Sequence, residues 1–151
     1  YSTLKNRNPE MLGGELESYE AVKNLDLNNS PISTITTADD LKQLQANQYH
    51  KFVLTQEGNL ITGAPVKLMV GQNKVDTFYM SHGVLAFNPG EKPIISAGYL
   101  KTTTDLNITI NNHSGHYKPP FKTLKPVRTL LESMGAQVTA IRAPGPKFKA
   151  G

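Results

Sequence analysis

The sequence predicts an α+β fold: a mainly antiparallel sheet, short N-terminal helices and a C-terminal amphipathic helix packed on the sheet. Three observations carry this reading. Leu106, Ile108 and Ile110 alternate with Asn107 and Thr109, the period of a half-buried strand. Phe121, Leu124, Val127, Leu131 and Met134 recur at spacings of three or four, with Leu130 widening the stripe, the period of a helix with one buried face. From Lys51 to Ile110, short apolar runs are separated by turn signals, as in a string of hairpins. A length of 151 residues suits one domain with one core.

Taken in order, residues 1–36 read as a loosely ordered lead-in punctuated by Asn6, Asn8, Pro9, Gly13 and Gly14, with a short helix at Leu16 to Leu25 and a loop at Asn28-Asn29-Ser30-Pro31. Thr37-Ala38-Asp39-Asp40 reads as an N-cap with acidic first-turn residues, opening a helix that runs to about Asn47 with Leu41 and Leu44 on one face. His50 follows it with no sequence partner and is expected at the surface. Phe52-Val53-Leu54, the turn Glu57-Gly58-Asn59 and Leu60-Ile61 form a hairpin. Further strands are expected at Val66–Val70 (closed by Gly71-Gln72-Asn73), Asp76–Met80, Val84–Phe87, Ile94–Leu100 and Leu106–Ile110. Thr123 is placed to cap the last helix and Pro126 falls in its first turn, where a missing N–H is tolerated. Gly135 is placed to end it, Val138 to Ile141 to return as a strand, and residues 144–151 to form a basic, mobile tail.

Composition narrows the function classes. With no cysteine, a disulfide scaffold, a zinc ribbon and a cysteine nucleophile are excluded. No apolar run approaches the roughly 20 residues of a membrane span. No signal peptide is visible and the chain starts at Tyr1, as expected of a processed chain or an excised domain. The net charge of +4 is uneven. Residues 1–75 hold seven Lys/Arg against eight Asp/Glu, whereas Lys118, Lys122, Lys125, Arg128, Arg142, Lys147 and Lys149 are opposed only by Glu132. This C-terminal cluster, with Lys122, Lys125 and Arg128 on the helix, suits RNA or an acidic protein surface; a solvated helix face is the alternative reading.

The densest chemistry is Asn111-Asn112-His113-Ser114-Gly115-His116-Tyr117-Lys118-Pro119-Pro120, between the last antiparallel strand and the helix. A second cluster, Tyr79-Met80-Ser81-His82-Gly83, lies at another strand end. The candidate catalytic residues are His82, Ser114, His116, Tyr117 and Lys118. If neighbouring strands bring His82 to His116, two imidazoles can divide general acid and base roles, with Lys118 or the Gly115 N–H steadying a developing anion. Tyr117 reads more readily as a buried aromatic with a hydrogen-bonded hydroxyl than as a catalytic phenol. His113 and His116 form HxxH with no third ligand in sight, so no metal site is expected, and no cofactor is implied. GxGxxG, Walker A, GxSxG and HExxH signatures are all absent.

Ser114-Gly115-His116-Tyr117, then Pro119 and an amphipathic helix, resembles an SGHYxP module of plant IQ-motif calmodulin-binding proteins and of some bacterial effector or toxin-like proteins. The resemblance spans about residues 50–141 and takes in Phe52 to Leu60, His82 and Pro93 to Gly98. It points to His82, His116 and Tyr117 as a shared site. The chain departs from the plant pattern with Gly83-Val84 after the histidine and Tyr99 in place of an acidic residue after Ala97-Gly98. It also has no IQ motif, so calmodulin does not carry over.

The resemblance implies a bacterial effector or toxin-like domain, secreted by a bacterial system into a target cell, with a host protein or cognate inhibitor as partner. The absence of cysteine suits a protein that must unfold to cross a secretion system. Metal-independent RNA cleavage is the leading reaction, because it needs two acid–base groups and a cationic groove. ADP-ribosyl transfer is an alternative, weakened by the lack of an acidic residue near the site in sequence. A non-catalytic binding module, with SGHYxP as a structural clasp, is the other.

Overall fold

The computed structural model describes residues 1–25, 31–69, 71–73, 75–87 and 91–142. Its helices are α1 (Leu12–Leu25), α2 (Ala38–Gln43), α3 (His82–Phe87) and α4 (Leu124–Ser133). Its strands are β1 (Ile32–Ile35), β2 (Tyr49–Thr55), β3 (Leu60–Gly63), β4 (Val66–Met69), β5 (Val75–Phe78), β6 (Ile94–Thr102), β7 (Asn107–Asn111) and β8 (Gln137–Ile141). Six strands form one sheet in the order β1-β3-β2-β6-β7-β8, antiparallel except where β8 lies parallel to β7. The α+β class and the mainly antiparallel sheet expected from the sequence are therefore observed, with α4 packed on the sheet.

Alternation along the central strands decides which residues build each side. Phe52, Leu54, Leu100, Ile108 and Ile110 face Leu124, Val127 and Leu131 of α4, together with Ile35 and Leu41. Val53, Ile61, Ile94 and Ala97 face Val84 and Leu85 of α3, Tyr19 of α1, and Tyr117. A Leu131→Ala change should cost about 2–5 kcal/mol in urea unfolding. A loss under about 0.5 kcal/mol, the scale of surface changes, would refute the burial of that residue.

Local chemistry fixes the joins. Thr37 caps α2 in a capping box: its hydroxyl accepts from the Asp40 N–H, and the Asp40 carboxylate accepts from the Thr37 N–H. Bonds from the Thr36 N–H and hydroxyl, then that from the Thr37 N–H, hold the Asp40 carboxyl below its ordinary range. Gly58 turns the β2–β3 hairpin at φ +96°, a conformation that favours glycine. Gly135, at φ +94°, ends α4, where the Ala136 N–H reaches back to the Leu131 carbonyl.

Several expectations are corrected. The helix expected to reach Asn47 ends at Gln43, because Leu44 already has extended geometry (ψ 141°). Val84–Phe87 belongs to a helix, not a strand. A four-residue apolar run carries no decisive period, and the Ser81 hydroxyl accepts from the Val84 N–H at 3.2 Å to start the turn. The strands near 66–70 and 76–80 do not join the main sheet but pair as a separate β4–β5 ribbon.

His50, expected at the surface, is 2% exposed, and its ring lies 3.3 Å from the Gln45 carbonyl. Thr123 precedes α4 but makes no capping bond; its hydroxyl donates to the Pro120 carbonyl at 2.7 Å. Met134, expected in the core, is half-buried at the helix end. The lead-in packs more closely than its loop residues suggest: α1 starts four residues before the expected Leu16, β1 pairs with β3, and the Leu4 N–H donates to the Ile94 carbonyl at 2.7 Å. Asn28-Asn29-Ser30 and the 144–151 tail lie outside the described residues. Among the described residues no helix is long and apolar enough to cross a membrane.

Candidate functional site

The loop after β7 is shaped by its own backbone needs. The Asn111 side-chain carbonyl accepts from the Tyr99 and His113 N–H groups at 3.2 and 3.0 Å, turning the chain off the sheet. The Ser114 hydroxyl accepts from the Tyr117 N–H (3.3 Å), and the Ser114 carbonyl from the Lys118 N–H (2.8 Å). Lys118 reverses the chain at φ +44°, and the Asn112 amide donates to the Pro119 carbonyl at 2.9 Å. The closed turn sends Tyr117 into the core beneath α3, while His116 stays partly exposed.

His116 is held by the N-terminal segment. The Arg7 N–H donates to the His116 carbonyl at 2.6 Å, and Asn8 Oδ1 lies 2.9 Å from the ring's Nδ1. Nε2 is 3.3 Å from Glu15 Oε2, an ion pair when the ring carries a proton. The other Glu15 oxygen, Oε1, is buried and has no hydrogen-bond partner among the described residues.

Around His116 opens a pocket of ≈ 220 Å³ that brings Glu15 and Lys51 together with His82, Tyr99, His113 and Ser114; Tyr79, Ser81 and Gly115 complete its wall. His82 forms part of the wall at 4% exposed. Its Nε2–H donates to the Gly98 carbonyl at 2.7 Å, and its ring meets Tyr99 edge-on at 5.7 Å. Burial pushes its pKa from 6.5 down to about 3, a fall that the Gly98 carbonyl opposes and that Lys51, His113 and His116 deepen. His82 is therefore neutral at pH 7 and acts as a fixed donor to the sheet. His113 is also lowered, by burial and then by Lys51, and its ring lies tilted 5.7 Å from Tyr99. Lys51 is lowered by burial, against the pull of Glu15.

Of the five residues singled out in the sequence, His82, Ser114 and His116 border this pocket. Tyr117 instead lines a second cleft of ≈ 480 Å³ beneath the N-terminal segment, with burial and then Glu91 and Glu15 raising its pKa. Lys118 is exposed and lines neither. Lys122, Lys125 and Arg128 are exposed around a depression of ≈ 210 Å³ that shares no residue with the histidine pocket. Beside it the Arg142 guanidinium lies 4.5 Å from the centre of the Phe121 ring.

Glu15, Lys51 and Asn8 were not visible as site residues, since they lie 101, 65 and 108 positions from His116. Lys51 alone left a trace, as a charge inside an otherwise apolar strand. The lack of an acidic residue near the site, read from the loop's neighbours in sequence, is corrected by Glu15 on α1. Among the described residues no group of three or more His, Cys, Asp or Glu is arranged to hold a metal ion. Comparisons with protein-family profiles, curated proteins and solved structures find no significant match.

The buried histidines give a pH prediction. The unfolded chain takes up a proton on His82 below pH 6.5, which the folded protein refuses until about pH 3. Stability is therefore lost as pH falls through that window. His82 alone accounts for up to about 5 kcal/mol at the lower end. His50, lowered by burial, acts in the same direction. Urea midpoints should fall steadily from pH 7 to pH 4, and less steeply in His82→Gln. Midpoints that stay level across this range would contradict the neutral, buried ring.

Proposed function

We propose that the chain is a toxin-like effector domain that cleaves RNA without a metal ion, using the pocket around His116. The observation that carries this reading is the grouping of two imidazoles in different environments with an ammonium group in one open pocket: His116 beside Glu15, His113 depressed by burial, and Lys51. Neutral His113 is suited to accept a proton and His116 to deliver one. Nε2 of His116 faces Glu15 Oε2 at 3.3 Å on the wall of the pocket, where it is within reach of a bound ligand.

In the proposed step the RNA 2′-oxygen attacks the adjacent phosphorus while its proton passes to His113. The bond from phosphorus to the 5′-oxygen breaks, and that oxygen takes the proton from the His116 imidazolium. Lys51 neutralises the non-bridging oxygens. The products are a 2′,3′-cyclic phosphate and a 5′-hydroxyl. Asn8 and Glu15 act as positioning residues for the His116 ring, Ser114 and Tyr117 brace the loop, and His82 is fixed to the sheet at the Gly98 carbonyl. The bracing half of the clasp reading is thus absorbed into the catalytic one.

A second reading, ADP-ribosyl transfer from NAD, is favoured by Glu15 Oε1, which is buried without a hydrogen-bond partner among the described residues. A ribose hydroxyl would donate to that oxygen while water, or a target side chain, bonds to the ribose C1′ and nicotinamide leaves. The deciding experiment offers RNA and NAD separately to the protein in EDTA. Shortened RNA with intact NAD is expected. Nicotinamide release with intact RNA would transfer the pocket to the second reading, and inertness toward both would leave only the binding module.

A further inference from the structure

The sheet face that holds the pocket continues beyond it. On β2, Tyr49 and Lys51 have the same parity as buried Val53; on β6, Tyr99 and Lys101 have that of Ala97. Helices α1 and α3 cover Val53 and Ala97; further along, Glu15 of α1 and His82 of α3 border Lys51 and Tyr99, and all four residues of this stretch are half-buried. In register, Tyr49 lies opposite Lys101, and Lys51 opposite Tyr99. The result is a two-by-two checkerboard of aromatic rings and ammonium groups. The Lys101 ammonium lies 4.9 Å from the centre of the Tyr49 ring and the Lys51 ammonium 5.9 Å from that of Tyr99, while the two tyrosines meet edge-on at 6.3 Å. The register carries the same face on to Thr109 and Asn111 of β7 and then Thr139 and Ile141 of β8, without a carboxylate at any of these positions.

We infer that this face is a binding platform for single-stranded RNA that feeds the His116 pocket, an inference that rests on the reading of that pocket as an RNA-cleaving site. The charge is complementary to a phosphate backbone, and the half-buried Tyr49 ring offers an aromatic surface on which any base can stack, with Tyr99 behind it against His82 and His113. Lys51 and Tyr99 border the pocket, whereas Tyr49 and Lys101 lie one same-face pair further along the strands, about 6.6 Å away. A strand lying across Tyr49 and Lys101 would therefore run into the catalytic group. A base-paired duplex keeps its bases stacked inside and cannot use the rings, so preference for single strands follows.

The test uses a short fluorescent 2′-O-methyl oligouridylate, which lacks the attacking hydroxyl and stays intact. Its affinity for the full chain is measured by anisotropy across a salt series. Tyr49→Ala should weaken binding about fivefold or more, and Tyr49→Phe should restore it. Lys101→Ala should weaken binding and reduce the salt slope by about one phosphate contact. A matching duplex should bind more weakly at equal salt. Unchanged affinity in both alanine variants, equal binding of the duplex, or equal and equally sensitive binding of a polyglutamate peptide would overturn the platform. Cleavage is scored separately with unmodified RNA. Sensitive binding without cleavage removes the catalytic reading and keeps the platform; cleavage with insensitive binding does the reverse.

Discussion

Replacing His116 by Ala is expected to lower kcat/KM for RNA cleavage by about 10²–10⁴-fold, the usual contribution of a positioned acid–base group. The fold should survive. The ring is 22% exposed, and its loop is closed independently by Ser114, Asn112 and the Arg7 backbone bond. Glu15→Gln removes the charge beside Nε2 while keeping the side chain's size, so it should lower kcat more than it raises KM. Its effect should nearly vanish in the His116→Ala background, because a positioning residue has nothing left to position. His113→Ala should cost as much as His116→Ala, with the double variant well short of additive. A folded His116→Ala protein with full activity would remove the assignment.

The largest structural effect is expected at Gly98. A Cβ there would sit 1.8 Å from the Asn111 carbonyl oxygen and 3.1 Å from the Phe52 ring. The first is backbone of the neighbouring strand and the second a fully buried side chain, so neither can swing away. The strands β6 and β7 would have to part just where the Gly98 carbonyl also receives the His82 proton. Gly98→Ala should therefore cost more than about 4 kcal/mol, a large share of the 5–15 kcal/mol that holds a typical domain together. Gly115→Ala is the matched control. Its Cβ meets nothing within 4 Å and should change stability by less than about 0.5 kcal/mol. A Gly98→Ala loss below about 1 kcal/mol, read from urea unfolding, would show that the strands are not held this close.

What was legible in the sequence was whatever depends on local period and caps. The Leu106–Ile110 alternation, the α4 stripe, the Gly58 and Gly135 turns and the Thr37 capping box each involve residues within one element. Longer-range packing decided the rest. Whether His82–Phe87 coils or extends is settled by the burial of His82 to Ala86, which the short run Val84–Phe87 does not encode. His50 is polar by type yet inside, because the chain leaving α2 folds over it. The site was half legible for the same reason. The loop from His113 to Lys118 advertises itself by composition, but Glu15 and Asn8 reach it only once the N-terminal segment bonds to Ile94 and His116. Tyr99, noted in the sequence as the place of a missing carboxylate, lies against His82 and His113 as an aromatic wall instead.

In the proposed reaction His113 and His116 cleave RNA by acid–base catalysis with Lys51 at the phosphate. The most direct measurement is the chemical structure of the new RNA ends formed by the purified protein in excess EDTA, read by mass spectrometry. The mechanism predicts 2′,3′-cyclic phosphates paired with 5′-hydroxyls, and no such ends with His116→Ala. New 3′-hydroxyls paired with 5′-phosphates, or cleavage that stops when EDTA is added, would contradict it.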